Sequence, residues 1–416
     1  MSMMSTTLLL FWFANLCRGA PTLSPTRIQF YNCTAECKRQ MASFYHIYNR
    51  SIEKTHRIGA RQKNASMFPD QFKIEGCTIN PALIRWPFGQ WRNYSKQSIE
   101  SMGLPSSPTF LVTYCQGHFC FFQIYQRFQG VGWRSVKKPD ILEVLIPEQS
   151  NKRARFNRAL SPELDGPFVW GDMRFYFDEM NQTRTIYYVK DHKRRHSPFV
   201  PWTDVFVYDK GIDSFHTGSR GNKLDISNHT RPQQEKNWSP FTYNSTSFFV
   251  YSISPVHRIV GTASRGFEPG NEQGQDVVFA YETPNEVQWD WGELRGGTPA
   301  EIISTEDGPK FISFAHSQKR VHHRAIKTYF VAAYLFEPQP PFKVTHITRE
   351  PLVPQGVFYN QSATGWAWSN LDYVAFPMGM GIVDQHTLVL SLGVNDRECH
   401  AVEVNITALL ADMRRV

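Results

Sequence analysis

Polar and ionisable residues recur at the ends of short apolar runs in this chain of 416 residues: Asp165, Asp178, Lys236, Asn237, Ser254, His257, Arg295, Thr298, His316, Asn395 and Asp396. Carboxylates in such places offer acid or base function, and lysine, arginine and imidazole groups offer contacts for an anion. Each residue taken singly has a plainer use. An aspartate ending a strand is commonly a turn former, and a histidine beside a strand is commonly a satisfied structural residue. Their recurrence at one place in a repeated pattern is what singles them out. No Gly-x-Ser-x-Gly elbow, His-Glu-x-x-His pair, phosphate loop or dinucleotide fingerprint occurs, and nothing in the sequence requires a metal or other cofactor.

The elements carrying these residues read as strands. Helical periodicity is scarce, whereas aromatic and β-branched residues gather in short runs closed by polar residues. Examples are Gly171 to Asp178, Ser245 to Ser252, Asp307 to His316, and Asp384 to Leu392 continuing into Gly393-Val394-Asn395-Asp396. A fifth copy spans Pro108 to Tyr114, after Asn80-Pro81-Ala82-Leu83-Ile84-Arg85-Trp86. Short strands repeated between turn signals indicate an all-β repeat architecture, and radial repetition protects the edges of such sheets. The expected fold is a five-bladed β-propeller over residues 76–416, with a β-sandwich or jelly roll as the alternative. Propellers gather ligand sites at one mouth of the central channel, where strand ends converge.

Residues 1–20 read as a signal peptide or short signal anchor, because the apolar run Leu8 to Leu16 is shorter than the roughly 20 residues a spanning helix needs. Residues 21–75 read as an N-terminal extension packed on the propeller, with a short helix in Ala42 to Arg57. Ten Asn-x-Ser/Thr sequons point to a secreted or lumenal glycoprotein; Asn237 is a doubtful acceptor because Pro240 follows its Ser239. Six cysteines remain beyond Cys17, an even number suited to disulfides. Cys115 and Cys120 suit a cross-hairpin bridge, and a bond from Cys399 to the N-terminal segment would link the extension and help close the ring. The net charge of +8 is concentrated in Lys152 to Arg155, Lys193 to Arg195, and Lys319-Arg320 with His322, His323 and Arg324. Solvated loop faces account for such clusters more readily than a dedicated anion site. Nucleic acid is a poor partner for a secreted chain without a nucleic-acid motif, and membrane attachment beyond an N-terminal anchor is not expected.

Several segments together resemble one family. They are Glu235-Lys236-Asn237-Trp238-Ser239-Pro240-Phe241, Ser252-Ile253-Ser254-Pro255-Val256-His257, Arg295-Gly296-Gly297-Thr298-Pro299 and Phe314-Ala315-His316-Ser317. Ala332 to Glu337 with Pro341-Phe342, Phe376-Pro377-Met378-Gly379 and Leu392 to Asp396 continue the series. Their order and spacing are similar to the five-bladed propellers of glycoside hydrolase family 130, which include β-mannoside phosphorylases, β-mannosidases and related mannosyltransferases. The resemblance covers roughly residues 230–400, is weaker over 80–209 and is absent before that.

The resemblance implies a mannose-containing glycan as partner and inorganic phosphate or a sugar phosphate as co-substrate. The family's general acid is an Asp in a Glu-Asp-Pro-Arg segment; here the stretch reads Leu164-Asp165-Gly166-Pro167-Phe168, so Asp165 is kept and its neighbours are not. Lys236, His257 and Arg295 correspond to phosphate-gathering positions, and Asp396 to a sugar-hydroxyl binder. Asn80, Asn237, Thr298 and His316 complete the implied substrate set. Basic and imidazole residues are more evident here than the paired carboxylates of a hydrolase, which favours a phosphate or sugar phosphate. Trp238 and Trp291 are candidate stacking surfaces or core residues. Loss of the residues around Asp165 supports a different class of function, a glycan-binding or protein-binding propeller without catalysis.

Overall fold

The computed structural model describes residues 54–74, 77, 81–86, 109–116, 119–128, 132–141, 169–177, 183–197, 200–208, 222–226, 237–262, 275–285, 287–321, 326–354, 357, 374–395 and 398–416. They belong to a compact unit spanning Glu53–Val416. The chain is all-β as the sequence indicates, built from short antiparallel meanders.

A helix over 54–64 opens the described chain. The rest of the helix expected between Ala42 and Arg57 lies outside the described residues. Strand β1 (Gln71–Lys73) follows, and then β2 (Ala82–Trp86), β3 (Thr109–Gln116), β4 (Phe119–Phe128) and β5 (Gly132–Ile141) form one antiparallel sheet in that order. Cys115 and Cys120 are directly opposed across its β3–β4 hairpin.

The next two meanders share an eight-stranded sheet. The first comprises β6 (Val169–Phe177), β7 (Thr183–Ser197), β8 (Val200–Tyr208) and β9 (Asn222–Ile226). The second comprises β10 (Ser239–Tyr243), β11 (Thr246–Ser252), β12 (Val256–Thr262) and β13 (Gln275–Pro284). Their outermost strands, β9 and β13, pair in parallel. Asn244 and Ser245 join β10 to β11 with φ of 46° and 59°. Two successive positive φ values form the tight turn whose twist matches that of the flanking strands.

The fourth meander begins on a broken strand. Strands β14 (Glu293–Gly296) and β15 (Glu301–Thr305) both pair with β16 (Gly308–Val321), one after the other, and β17 (Ile326–Phe336) and β18 (Val344–Thr348) follow. Strands β19 (Ala375–Ile382), β20 (Thr387–Val394) and β21 (Glu398–Asn405) make the last meander, and β1 supplies its fourth strand by pairing with β21. A short helix (Ile406–Asp412) is capped by Asn405, and β22 (Met413–Arg415) ends the chain against β18.

The repeated runs in the sequence fall on equivalent strands with one exception. Strands β3, β11, β16 and β20 are each the second of their meander, whereas the run Gly171 to Asp178 falls on the first strand, β6. The second strand there, β7, carries Lys190 to His196 and so lacks an apolar ending.

Separate cores fill the spaces between successive meanders. Tyr176, Ile186, Phe249 and Val260 join the second to the third. Phe241, Ile259, Phe311 and Phe336 join the third to the fourth, with the ring of Phe241 between 5.0 and 5.3 Å from those of Phe311, Phe336 and Phe342. Ile312, Phe314, Met380 and Leu390 join the fourth to the last. Leu83, Phe110, Val389 and Ala401 bring the last meander onto the first. Truncating any one of these buried phenylalanines to Ala would cost about 3–5 kcal/mol.

The N-terminal segment is part of this packing. Ile58 and Met67 enter the core beside β16 and β20, and Gln62 donates to Pro351 O at 2.9 Å while accepting from Val353 N at 2.8 Å. Cys399 is bonded to Cys77, across 322 positions of sequence, rather than to the earlier cysteines of the extension. No described helix is long and apolar enough to cross a membrane.

Candidate functional site

Between β14 and β15 the chain leaves its ladder at Gly297-Thr298-Pro299-Ala300. The break is forced by crowding. A Cβ on Gly296 would strike Asn237 O and the Ser239 hydroxyl, and one on Gly297 would strike Phe314 O and, at 2.8 Å, Pro377 Cγ. The Gly-Gly pair therefore lets backbone from the third and fourth meanders and the Pro377 ring of the last meet at one point.

Hydrogen bonds fix that meeting. Thr298 N donates to Phe314 O at 2.9 Å, Phe314 N donates to the Thr298 hydroxyl at 3.0 Å, and the Ser313 hydroxyl donates to Thr298 O at 3.0 Å. Ala300 N donates to Pro240 O at 2.9 Å, tying the break to β10. From β6, the buried Arg174 donates through Nε to Gly297 O and through Nη2 to Asn237 Oδ1 at 3.3 Å. Arg174 was not among the candidates read from the sequence. Its signal was a lone charge in the apolar run Met173-Arg174-Phe175-Tyr176-Phe177.

Four sequence candidates converge here: Asn237, Arg295, Thr298 and His316. Asn237 is buried, with a left-handed φ of 66°. Thr298 is fully buried and its hydroxyl braces the break. His316 is directly opposed to Arg295 across β14 and β16. Its Nδ1 lies 2.9 Å from Gly296 O, so Nδ1–H donates to that carbonyl. Its ring is held against Phe376 (4.4 Å between centroids) and Tyr329 (5.7 Å, near-parallel). Arg295 is the exposed member, 42% accessible and 3.1 Å from Glu293.

His257 does not join them. It is fully buried among Phe336, Phe342 and Tyr334, and its Nδ1 lies 2.8 Å from Phe342 O. Burial pushes its pKa down to about 4, against a smaller opposing effect of the Phe342 carbonyl, so the ring is neutral at physiological pH. Its Nε2 has no hydrogen-bond partner among the described residues.

Other candidates divide between packing and loop roles. Trp238 packs against Phe249 and Tyr251, and Trp291 lies under the Lys54 ammonium at 4.5 Å from the ring centroid; both are buried. The Ser254 hydroxyl points to Val287 O. Asn395, with φ of 52°, latches the start of β19: it exchanges bonds with Val374 through its own N–H and its side-chain oxygen, at 2.9 and 2.8 Å. Asn80, Asp165, Asp178, Lys236 and Asp396 lie outside the described residues. Among the described residues, no group of three or more His, Cys, Asp or Glu could hold a metal ion.

No family model and no curated protein matches the chain. Similar solved structures include a β-1,2-mannobiose phosphorylase from Listeria innocua in complex with β-1,2-mannobiose, at 16% identity and TM-score 0.38, covering 70% of this chain and 69% of that one. A mannose phosphorylase from Leishmania mexicana in complex with phosphate ion matches at 9% identity and TM-score 0.38, over 88% of this chain and 97% of that one. A GDP-Man-dependent mannosyltransferase from the same organism matches at 10% identity and TM-score 0.33, over 72% and 81%. At these identities and scores the likeness assigns neither family nor activity.

Proposed function

We propose that this chain is a five-bladed β-propeller of the secretory pathway that acts on β-mannosidic linkages by phosphorolysis or mannosyl transfer. The order of packed strands supports the five blades: β2 lies against β6, β6 against β10, β11 against β14, β16 and β17 against β19, and β19 against β2. The sequons and the Cys77–Cys399 bond support an oxidising compartment.

The observation that carries the functional reading is the convergence of Asn237, Arg295, Thr298 and His316 on the broken strand. In this reading Asp165 protonates the departing glycosidic oxygen while phosphate, or water, attacks the opposite face of the sugar in a single displacement. Lys236 and Arg295 hold the phosphate, and Asn80 and Asp396 bind sugar hydroxyls. In the transfer direction a mannose phosphate or a nucleotide sugar is the donor. The test is phosphate release from mannose 1-phosphate with mannose-containing acceptors, with GDP-mannose in parallel. Turnover that disappears in Asp165→Asn supports the reading; turnover unchanged in that variant on every active substrate overturns it.

The burial of His257 away from the other candidates, among Phe336, Phe342 and Tyr334, favours a second reading, a glycan-binding protein without phosphate chemistry. It predicts binding of mannosides without turnover, and little loss of binding in Asp165→Asn.

A further inference from the structure

We infer that the β10–β11 turn is a built seat for an N-linked glycan: the first sugar on Asn244 lies across the ring of Tyr243, meets the Thr246 hydroxyl, and so holds the hairpin closed. The sequon Asn244-Ser245-Thr246 supplies the acceptor amide and the hydroxyl that attachment requires. Asn244 and Ser245 are the whole of the loop, because Tyr243 and Thr246 are directly opposed as the first pair of the ladder. Directly opposed residues share a face of the sheet, with Cβ atoms about 4.5–5.5 Å apart. The turn thus sets an aromatic ring and the sequon hydroxyl side by side, with the acceptor asparagine between them in the chain.

Tyr243 is positioned by the protein alone. Its ring stands edge-on to Phe342, at 5.3 Å between centroids and 85°, and tilted against Phe248 at 6.5 Å, while the residue stays half-buried. A pyranose such as N-acetylglucosamine has a face lined by C–H groups, whose partial positive charge and apolar area suit the negative face of an aromatic ring. A side chain already packed in place gives up little rotamer freedom in making that contact. The Thr246 hydroxyl donates to Asn244 O at 3.2 Å, which leaves the lone pairs of its oxygen to accept from the sugar's acetamido N–H. The turn gains from such a brace. Both central residues hold left-handed backbone, at φ of 46° and 59°, and serine occupies the second position, where glycine is preferred. At Asn64, also exposed, the acceptor follows Lys63 at the end of a helix and so lacks the preceding ring.

Attachment needs a lipid-linked oligosaccharide pyrophosphate as donor. A bond forms between Asn244 Nδ2 and the anomeric carbon of the first sugar, the bond from that carbon to the donor phosphate breaks, and Nδ2 gives up one proton. The inference rests on passage through the secretory pathway, as in the reading above, and not on mannoside chemistry.

The test uses the full chain made in a eukaryotic secretory host, with its glycans trimmed enzymatically to the first sugar. Hydrogen exchange of the β10–β11 amides is compared across a cycle of the natural chain, Asn244→Asp, Tyr243→Leu and the double variant. Asn244→Asp removes the glycan and keeps a residue suited to the turn, and the cycle cancels whatever it does to the turn by itself. Loss of the glycan should speed exchange about two- to tenfold where Tyr243 is present, and should leave it unchanged in the Tyr243→Leu background. Tyr243→Phe should keep the protection, and Asn64→Asp should not alter these amides. An effect of the glycan that is the same with and without the ring, or no effect at all, would overturn the inference. Absence of sugar from Asn244 alone would overturn it as well. Absence from every sequon would overturn the secretory reading, and this inference with it.

Discussion

Arg174 of β6 reaches Asn237, which lies just before β10, its Nη2 donating to the Asn237 side-chain oxygen at 3.3 Å while its Nε donates to Gly297 O. One buried guanidinium thereby joins three meanders that are far apart in sequence. Asn237 is suited to its end of this link twice over, because asparagine tolerates the left-handed backbone of its φ of 66° and offers an acceptor. Asn237→Gly keeps the backbone freedom and loses the acceptor; Asn237→Ala loses both. Denaturant unfolding should show a loss of about 1–3 kcal/mol for the glycine variant, from the buried donor left without its acceptor. The alanine variant should lose about 1–2 kcal/mol more.

His257 should make stability depend on pH. Its folded pKa of about 4 is below the ordinary value of 6.5, so the unfolded chain binds a proton in a range where the folded chain does not. Stability is therefore complete above about pH 6.5 and falls as the pH drops toward 4, with little further change below. The full difference corresponds to about 3 kcal/mol. Urea midpoints measured from pH 7.5 to 4.5 should show this decline, and His257→Gln should remove most of it.

The link between β1 and the last meander depends on a bond that is far from local. Cys77 and Cys399 join the N-terminal strand to β21, beside Lys73, which is opposed to His400 and 2.6 Å from Glu398. Loss of the disulfide in Cys77→Ala/Cys399→Ala should cost about 2–5 kcal/mol. Hydrogen exchange should report where. The amides of Ile74, Glu403 and Asn405, which donate to Cys399 O, Asp70 O and Met67 O, should lose protection before the amides of β16 and β17 do.

Much of this arrangement was legible in the sequence, and the reasons differ by residue. Strands β3, β11, β16 and β20 announced themselves as short runs rich in aromatic and aliphatic residues, the composition of well-buried strands such as Thr387 to Val394. The Gly-Gly-Thr-Pro segment stood out because paired glycines mark a place where other parts of the chain come too close for a Cβ. Arg174 did not, since its role depends on Gly297 and Asn237, whose approach no local pattern encodes. The burial of His257 was not legible either, since the phenylalanines that enclose it are about 80 residues away in sequence.

Sequons should be occupied according to burial. Asn64 is exposed at the end of the first helix and Asn244 is exposed at the tip of the β10–β11 turn, so both leave room for a glycan. Asn237 is buried against Arg174 and Gly296, where a glycan could not be accommodated. Glycopeptide mass spectrometry of the chain made in a eukaryotic secretory host should find sugar on Asn64 and Asn244 and none on Asn237. Sugar on Asn237 of folded protein would contradict the contacts around Arg174.

The last meander comes so close to the first at Gly379 that no side chain is admitted there. A Cβ there would strike the backbone N and O of Leu83, and the space cannot be recovered by a rotamer change because the obstacle is main chain. The neighbouring bonds hold the backbone in place: Gly379 N donates to the Ser391 hydroxyl at 3.0 Å, and that hydroxyl donates to Pro81 O at 2.6 Å. Gly379→Ala must therefore push β19 away from β2, opening the core that contains Leu83, Phe110 and Val389. The expected loss is about 1–3 kcal/mol from overpacking, with a further loss if the Ser391 bridge breaks. Gly308→Ala is the matched control. Its Cβ meets nothing within 4 Å, so it carries only the cost of its φ of 94°. If Gly379→Ala proves no less stable than Gly308→Ala in thermal unfolding, the close contact between β2 and β19 is wrong, and with it the packing of the last meander onto the first.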